Sequence, residues 1–158
     1  MINLTQKERT LLQDQKSHEE LCIKKYTNYA NQTQDPQLKQ IFMQHAQQEQ
    51  QHLNTINQIL NGQVPNVNQQ GQQNQQNQQA QTFNPSPMQV GMTNQADADL
   101  CKDMLGTEKY VSSSYNTAIF EFRDHNIRQA LNHIQKEEQE HGEDIFKYME
   151  SHGMYQAQ

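Results

Sequence analysis

Two Glu-x-x-His pairs, Glu49–His52 and Glu138–His141, carry the chemistry in this sequence. Residues three apart on a helix share a face, so each pair can reach one ion. Glu19 and Glu108 stand thirty residues before Glu49 and Glu138. Four carboxylates and two imidazoles gathered in one interior would repel one another and lose hydration, which is costly unless the charge is compensated. Retained protons are one compensation, because clustered carboxyls have raised pKa values. Two divalent cations are the better one. Their charge balances four carboxylates, and carboxylate with imidazole suits iron or manganese. The pattern predicts a site for two Fe or Mn ions, with Glu19, Glu49, His52, Glu108, Glu138 and His141 as ligands. The competing reading is a polar core in which Glu and His pair only through hydrogen bonds. One Glu-x-x-His is a weak signal; two, each preceded by a glutamate at the same interval, are a specific one.

The elements that must position these groups are helices. Leu38, Phe42, His45, Glu49, His52, Ile56 and Ile59 recur at alternating steps of four and three, as do Ile127, Leu131, Ile134, Glu138, His141, Ile145 and Tyr148. Such spacing marks a core-facing helical stripe. Leu12, Gln15, Glu19, Cys22, Tyr26 and Tyr29 form a weaker stripe. Cys101, Met104, Glu108, Val111, Tyr115, Ala118 and Phe122 form its counterpart. Thr5-Gln6-Lys7-Glu8 has the form of a capping box. Asp35-Pro36 reads as an N-cap with proline at the first helical position, Asp124 as a second cap, and Gly62 and Gly153 as helix-ending glycines. Four helices of about 25–30 residues, roughly 40 Å each, follow.

A shift of 89 residues superimposes the two halves without a gap. Leu11, Asp14, Glu19, Tyr26, Asp35, Gln40, Glu49, Gln50, His52 and Ile56 fall on Leu100, Asp103, Glu108, Tyr115, Asp124, Gln129, Glu138, Gln139, His141 and Ile145. The chain reads as one domain of two repeated helical hairpins, 4–62 and 96–152, joined by a Gln/Asn-rich crossover over 63–95. One hairpin cannot bury both of its faces, so the pair is expected to form an all-α, ferritin-like four-helix bundle. The crossover easily spans 40 Å at about 3.3–3.6 Å per extended residue. Having no apolar period, it is expected to be a flexible linker, although Gln/Asn tracts also self-associate.

Composition narrows the function. Only 32% of the 158 residues are hydrophobic, against about 45–50% in a typical chain, and the crossover accounts for much of the deficit. The net charge is −6 with no basic run, which argues against nucleic acid as a partner. Apolar runs are too short for membrane insertion, and the first residues lack the apolar core of a signal peptide. Cys22 and Cys101 are expected to be buried thiols, because level glutamates in antiparallel helices would set them about 6 Å apart along the axis. His45 reads as a hydrogen-bonded core histidine rather than a seventh ligand. Tyr26 and Tyr115, two turns beyond Glu19 and Glu108, read as core packing, with hydrogen bonding to the ligands or electron transfer as the alternatives. Glu20, Glu121, Glu137, Glu140 and Glu143 are expected in solvent, Glu121 nearest the core.

Asp35-Pro-Gln-Leu-Lys-Gln-Ile-Phe42 and Tyr148-Met-Glu-Ser-His-Gly-Met-Tyr155 resemble the spore coat protein F (Coat F) family of endospore-forming Firmicutes. Gln139-Glu-His-Gly142 and the Gln-rich middle are similar to its clostridial members. The resemblance implies a ferritin-like fold and a place in the spore coat, after synthesis in the mother-cell cytoplasm. It also implies other coat proteins as partners, leaves homo-oligomerisation open, and supplies no catalytic residues. The broader ferritin-like class adds an alternative, a di-iron or di-manganese redox enzyme of peroxidase, catalase or ferroxidase type. The sequence lacks the Cys-x-x-Cys pairs of a complete rubrerythrin. A third reading, a metal-free helical adaptor, rests on less specific features.

Overall fold

The computed structural model of the chain describes residues 2–66 and 94–155. The Gln/Asn-rich crossover lies, apart from its ends, outside the described residues. The described residues form four α-helices: α1 (Gln6–Gln32), α2 (Pro36–Leu60), α3 (Gln95–Glu121) and α4 (His125–Ser151). They contain no strand, and none of their helices is long and apolar enough to cross a membrane. The fold is the all-α four-helix bundle expected from the stripes.

Local chemistry sets the helix ends. The Thr5 hydroxyl accepts from the Glu8 amide at 3.1 Å while the Glu8 carboxylate accepts from the Thr5 amide at 2.7 Å, a complete capping box. Asp35 caps α2 ahead of Pro36, and Asp124 caps α4 by accepting from the Asn126 and Ile127 amides. Gly62 and Gly153 both take positive φ, 81° and 68°, the left-handed conformation that costs glycine least. The cap of α3 is Asn94, whose side chain accepts from the Asp97 amide.

α1 packs against α2 and α3, and α4 packs against α3 and α2. Cross-helix bonds give the directions. Gln15 donates to Ser114 at 2.6 Å, and Lys25 donates to Asp103 at 3.0 Å, so α1 and α3 run antiparallel. The Ile2 amide donates to the Gly62 carbonyl at 3.0 Å, which puts the end of α2 beside the start of α1. α2 therefore ends at one end of the bundle, and α3 begins at the other.

The core is apolar at both ends and polar in the middle. Leu12, Ile56, Ile59, Ala118, Ile127 and Leu131 fill one end, and Leu38, Phe42, Cys101, Met104, Ile145 and Tyr148 fill the other, all buried. Cys22 and Cys101 are buried free thiols, as expected. Tyr29, placed on the α1 stripe by spacing, is only half-buried; its hydroxyl donates to Asp103 at 2.7 Å. Each hairpin turn is tied to the other hairpin. Tyr148 donates to Asp35 at one end, and Arg123 holds Glu8 through its amide and guanidinium at 3.1–3.3 Å at the other. Glu8 is buried, so its bonds to Arg123 are worth more than a surface ion pair. Glu8→Gln should lower unfolding free energy by about 1 kcal/mol in chemical denaturation, the net value of one hydrogen bond, because glutamine keeps an acceptor and the Arg123 side chain is largely exposed. An unchanged denaturation midpoint would show that this tie contributes nothing.

Candidate metal centre

The middle of the bundle gathers all six residues that the repeat singles out. Glu19 on α1, Glu49 and His52 on α2, Glu108 on α3, and Glu138 and His141 on α4 are each at most 3% exposed. Their ligand atoms fall into two groups, each within 4.8 Å: Glu19, Glu49, His52 and Glu138; and Glu49, Glu108, Glu138 and His141. Glu49 and Glu138 belong to both groups. Glu49 turns Oε2 toward His52 Nδ1 at 3.1 Å and Oε1 toward His141 Nδ1 at 3.2 Å. Glu138 turns Oε1 toward His52 Nδ1 at 3.1 Å and Oε2 toward His141 Nδ1 at 3.6 Å. Glu19 lies 3.6 Å from His52 Nδ1, and Glu108 lies 3.4 Å from His141 Nδ1.

Tyrosines hold the two outer glutamates. Tyr26 donates to Glu108 Oε1, and Tyr115 donates to Glu19 Oε1. Packing was the favoured expectation for these rings; both are fully buried, and their hydroxyls also orient the carboxylates. The two bonds are equivalents under the 89-residue shift, so the hairpins are related by a pseudo-two-fold axis through the cluster. Among the described residues six buried atoms lack a hydrogen bond of good geometry: Glu19 Oε2, Glu49 Oε1, Glu108 Oε2, Glu138 Oε2, His141 Nδ1 and His45 Nδ1, although Glu49 Oε1 and His141 Nδ1 face each other at 3.2 Å. Five belong to the cluster. Buried lone pairs without donors fit a cation, so these groups could hold a metal ion.

A carboxylate that sequence reasoning placed in solvent lies behind the histidines. Glu137 is 6% exposed and accepts from His52 Nε2 at 3.3 Å and from His133 Nε2. The Gln48 amide donates to the same carboxylate at 3.4 Å and meets His141 Nε2 at 2.7 Å through Oε1. A carboxylate only accepts, so the amide nitrogen faces Glu137 and the amide oxygen faces His141. Both histidines therefore carry hydrogen on Nε2, and a neutral ring presents a bare Nδ1 to the centre. Glu137 sits one residue before a ligand and aligns with Gln48 under the repeat. That alignment was the available signal, and a stripe at steps of three and four does not weigh it. His45 behaves as expected: its Nε2 meets Asp144 at 3.0 Å, and its ring stacks on His141 with centroids 4.1 Å apart.

Burial is the largest influence on every group here; alone it would raise the carboxyls and lower the imidazoles. Neighbours decide the outcome. Glu49 stays at about 2, against burial and the Glu108 charge, because His141 and His52 hydrogen-bond to it. Glu138 is lowered, against burial and the Glu49 charge, by hydrogen bonds with Glu108, His141 and His52. Burial and the Glu49 and Glu138 charges raise Glu19 well above the carboxylate range. Burial and Glu138 push Glu108 up to about 7. His52 and His141 are raised well above 6.5, against burial, by Glu19 and Glu108 respectively and by their other carboxylate partners. Without cations both imidazoles and the outer glutamates Glu19 and Glu108 thus favour their protonated forms, while Glu49, Glu138 and Glu137 favour the charged form. Burial and the surrounding carboxylates raise the Cys22 thiol, so it stays protonated.

These observations define a class: a four-helix bundle built from two repeated hairpins around a shared, buried carboxylate–imidazole cluster. Residues 96–158 match the family model of the Coat F domain. This match, to the domain of the spore coat protein F family, lies over α3 and α4, one of the two repeated hairpins. No curated protein and no solved structure matches the chain.

The titrations set a pH dependence. Raised imidazole values stabilise the fold below 6.5, and that contribution is lost as pH climbs through the folded values; raised carboxyls act in the same direction above 4.5. The lowered Glu49 and Glu138 stabilise above 4.5, a contribution lost on acidification, toward about 2 for Glu49. The thermal midpoint of metal-free protein should fall as pH rises above 4.5, more steeply above 6.5, and fall again on acidification below 4.5. A divalent cation bound among these groups would replace the protons and should remove the alkaline loss. Metal-free protein whose midpoint stays level from neutral to alkaline pH contradicts this charge balance.

Proposed function

We propose that the chain is a component of the endospore coat whose ferritin-like bundle binds two divalent ions, Fe or Mn. Glu19 and His52 would serve one position and Glu108 and His141 the other, with Glu49 and Glu138 common to both. The observation that carries the reading is the pair of shared carboxylates, each turning one oxygen toward each imidazole. Hydrogen-bonded pairing alone is the competing account, and it requires protons on Glu19 and Glu108 to supply donors that the carboxylates otherwise lack. The Coat F domain supports the coat role and, through it, association with other coat proteins.

The same sharing favours a second reading, redox catalysis. Two redox-active ions held side by side could pass two electrons to a small oxidant such as peroxide. The protein's share of such work would be to hold the ions through six side chains, orient the outer glutamates through Tyr26 and Tyr115, and shield the cluster between two apolar layers.

Protein refolded with Fe(II) or Mn(II) should carry about two ions per chain by elemental analysis, as the two ligand groups require. Glu49→Ala combined with Glu138→Ala should bring that content close to zero with the helical circular dichroism retained. Metal content unchanged by the double substitution would show the ligands to be misassigned. Fractionated spores should contain the protein in the coat extract; its absence there would rule out the coat role.

A further inference from the structure

The inner cluster is close to symmetric, but what stands behind it is not. Under the 89-residue shift His52 corresponds to His141, and Gln48 corresponds to Glu137. His52 therefore donates from Nε2 to an anion, Glu137, at 3.3 Å, whereas His141 meets a neutral amide oxygen, Gln48, at 2.7 Å. Glu137 is buried, and its further partners are His133 and the Gln48 amide. The asymmetry continues one turn away. His45, with Asp144 on its Nε2, stacks on His141, while the residue equivalent to His45 on the other side is Ile134.

A carboxylate behind an imidazole makes the opposite ring nitrogen a stronger donor to a cation and adds a nearby negative charge. An amide oxygen orients the ring but adds no charge. Two positions with the same kinds of inner ligand thus have different outer partners.

We propose that Glu137 makes the two metal positions unequal, so that the first divalent ion settles at the His52 position and the second at the His141 position. Glu137 is in this sense a positioning residue, acting on the ion through His52. The inference rests on the two-ion reading above and adds an order of filling.

Repulsion between two neighbouring ions would separate the binding steps even at equivalent positions, so the location of the first ion is the decisive observation. Protein with ring-15N-labelled histidine is titrated with Zn(II), a diamagnetic probe. At one equivalent the His52 Nδ1 resonance should shift and that of His141 should not; the second equivalent should then move His141. Glu137→Gln keeps the volume and an acceptor oxygen but removes the charge. It should weaken the first step roughly 10–100-fold, the range typical of outer partners of metal-bound histidine, and spread the first equivalent over both histidines. First occupancy at His141, equal occupancy in the unsubstituted protein, or a Glu137→Gln titration that superimposes on it would each overturn the proposal. If neither ring responds to zinc, the two-ion reading itself fails. The unsubstituted protein alone decides the order of filling, whether or not the variant folds.

Discussion

Charge compensation in a dry interior governs this molecule. Four carboxylates and two imidazoles meet where water does not reach, and such a gathering persists only when its charges cancel. In the metal-free protein protons act in this direction, because both imidazoles and the outer glutamates bind them more tightly than they would in water while Glu49 and Glu138 stay charged. Cations would achieve it by displacing those protons. Everything around the cluster keeps this exchange local. Apolar layers close it at both ends, tyrosine hydroxyls turn the outer carboxylates inward, and Glu137 with Gln48 directs both imidazoles through their far nitrogens.

The repeat explains why the cluster is possible at all. A hairpin that places a glutamate on one helix and Glu-x-x-His on the next has three polar groups on its buried face and no means of satisfying them alone. Opposed by a second copy across a pseudo-two-fold axis, each set meets its complement. Departures from the symmetry are therefore informative. Gln48 against Glu137 and His45 against Ile134 are positions where two copies of one unit have come to differ while the inner ligands kept their types.

Much of this was legible in the residues. Stripes at steps of four and three identified the helices, because burial along one face is what such spacing encodes, and the caps at Thr5, Asp35 and Asp124 carried their own chemistry. The six central residues were found because the repeat marked them twice. Groups whose roles depend on the neighbouring helix were harder to see. Tyr26 and Tyr115 were readable as packing, but their bonds to Glu108 and Glu19 depend on the antiparallel register of α1 and α3. Glu137 flanks the stripe and so reads as solvated; Gln48 and His52 of α2 are what cover it. Tyr29 shows the opposite error, a stripe position that turns out toward Asp103.

Each of the two carboxylate–imidazole groups draws three of its members from one hairpin and the fourth, a glutamate, from the other. Neither half of the chain can complete a position by itself, and what it lacks is the same residue in both cases. A tandem duplication and two identical short chains docked about a two-fold axis are, at this cluster, the same geometric object. The covalent connection makes the partner always present and, in doing so, frees the two copies to diverge. A true homodimer of hairpins could not place glutamate behind one histidine and glutamine behind the other.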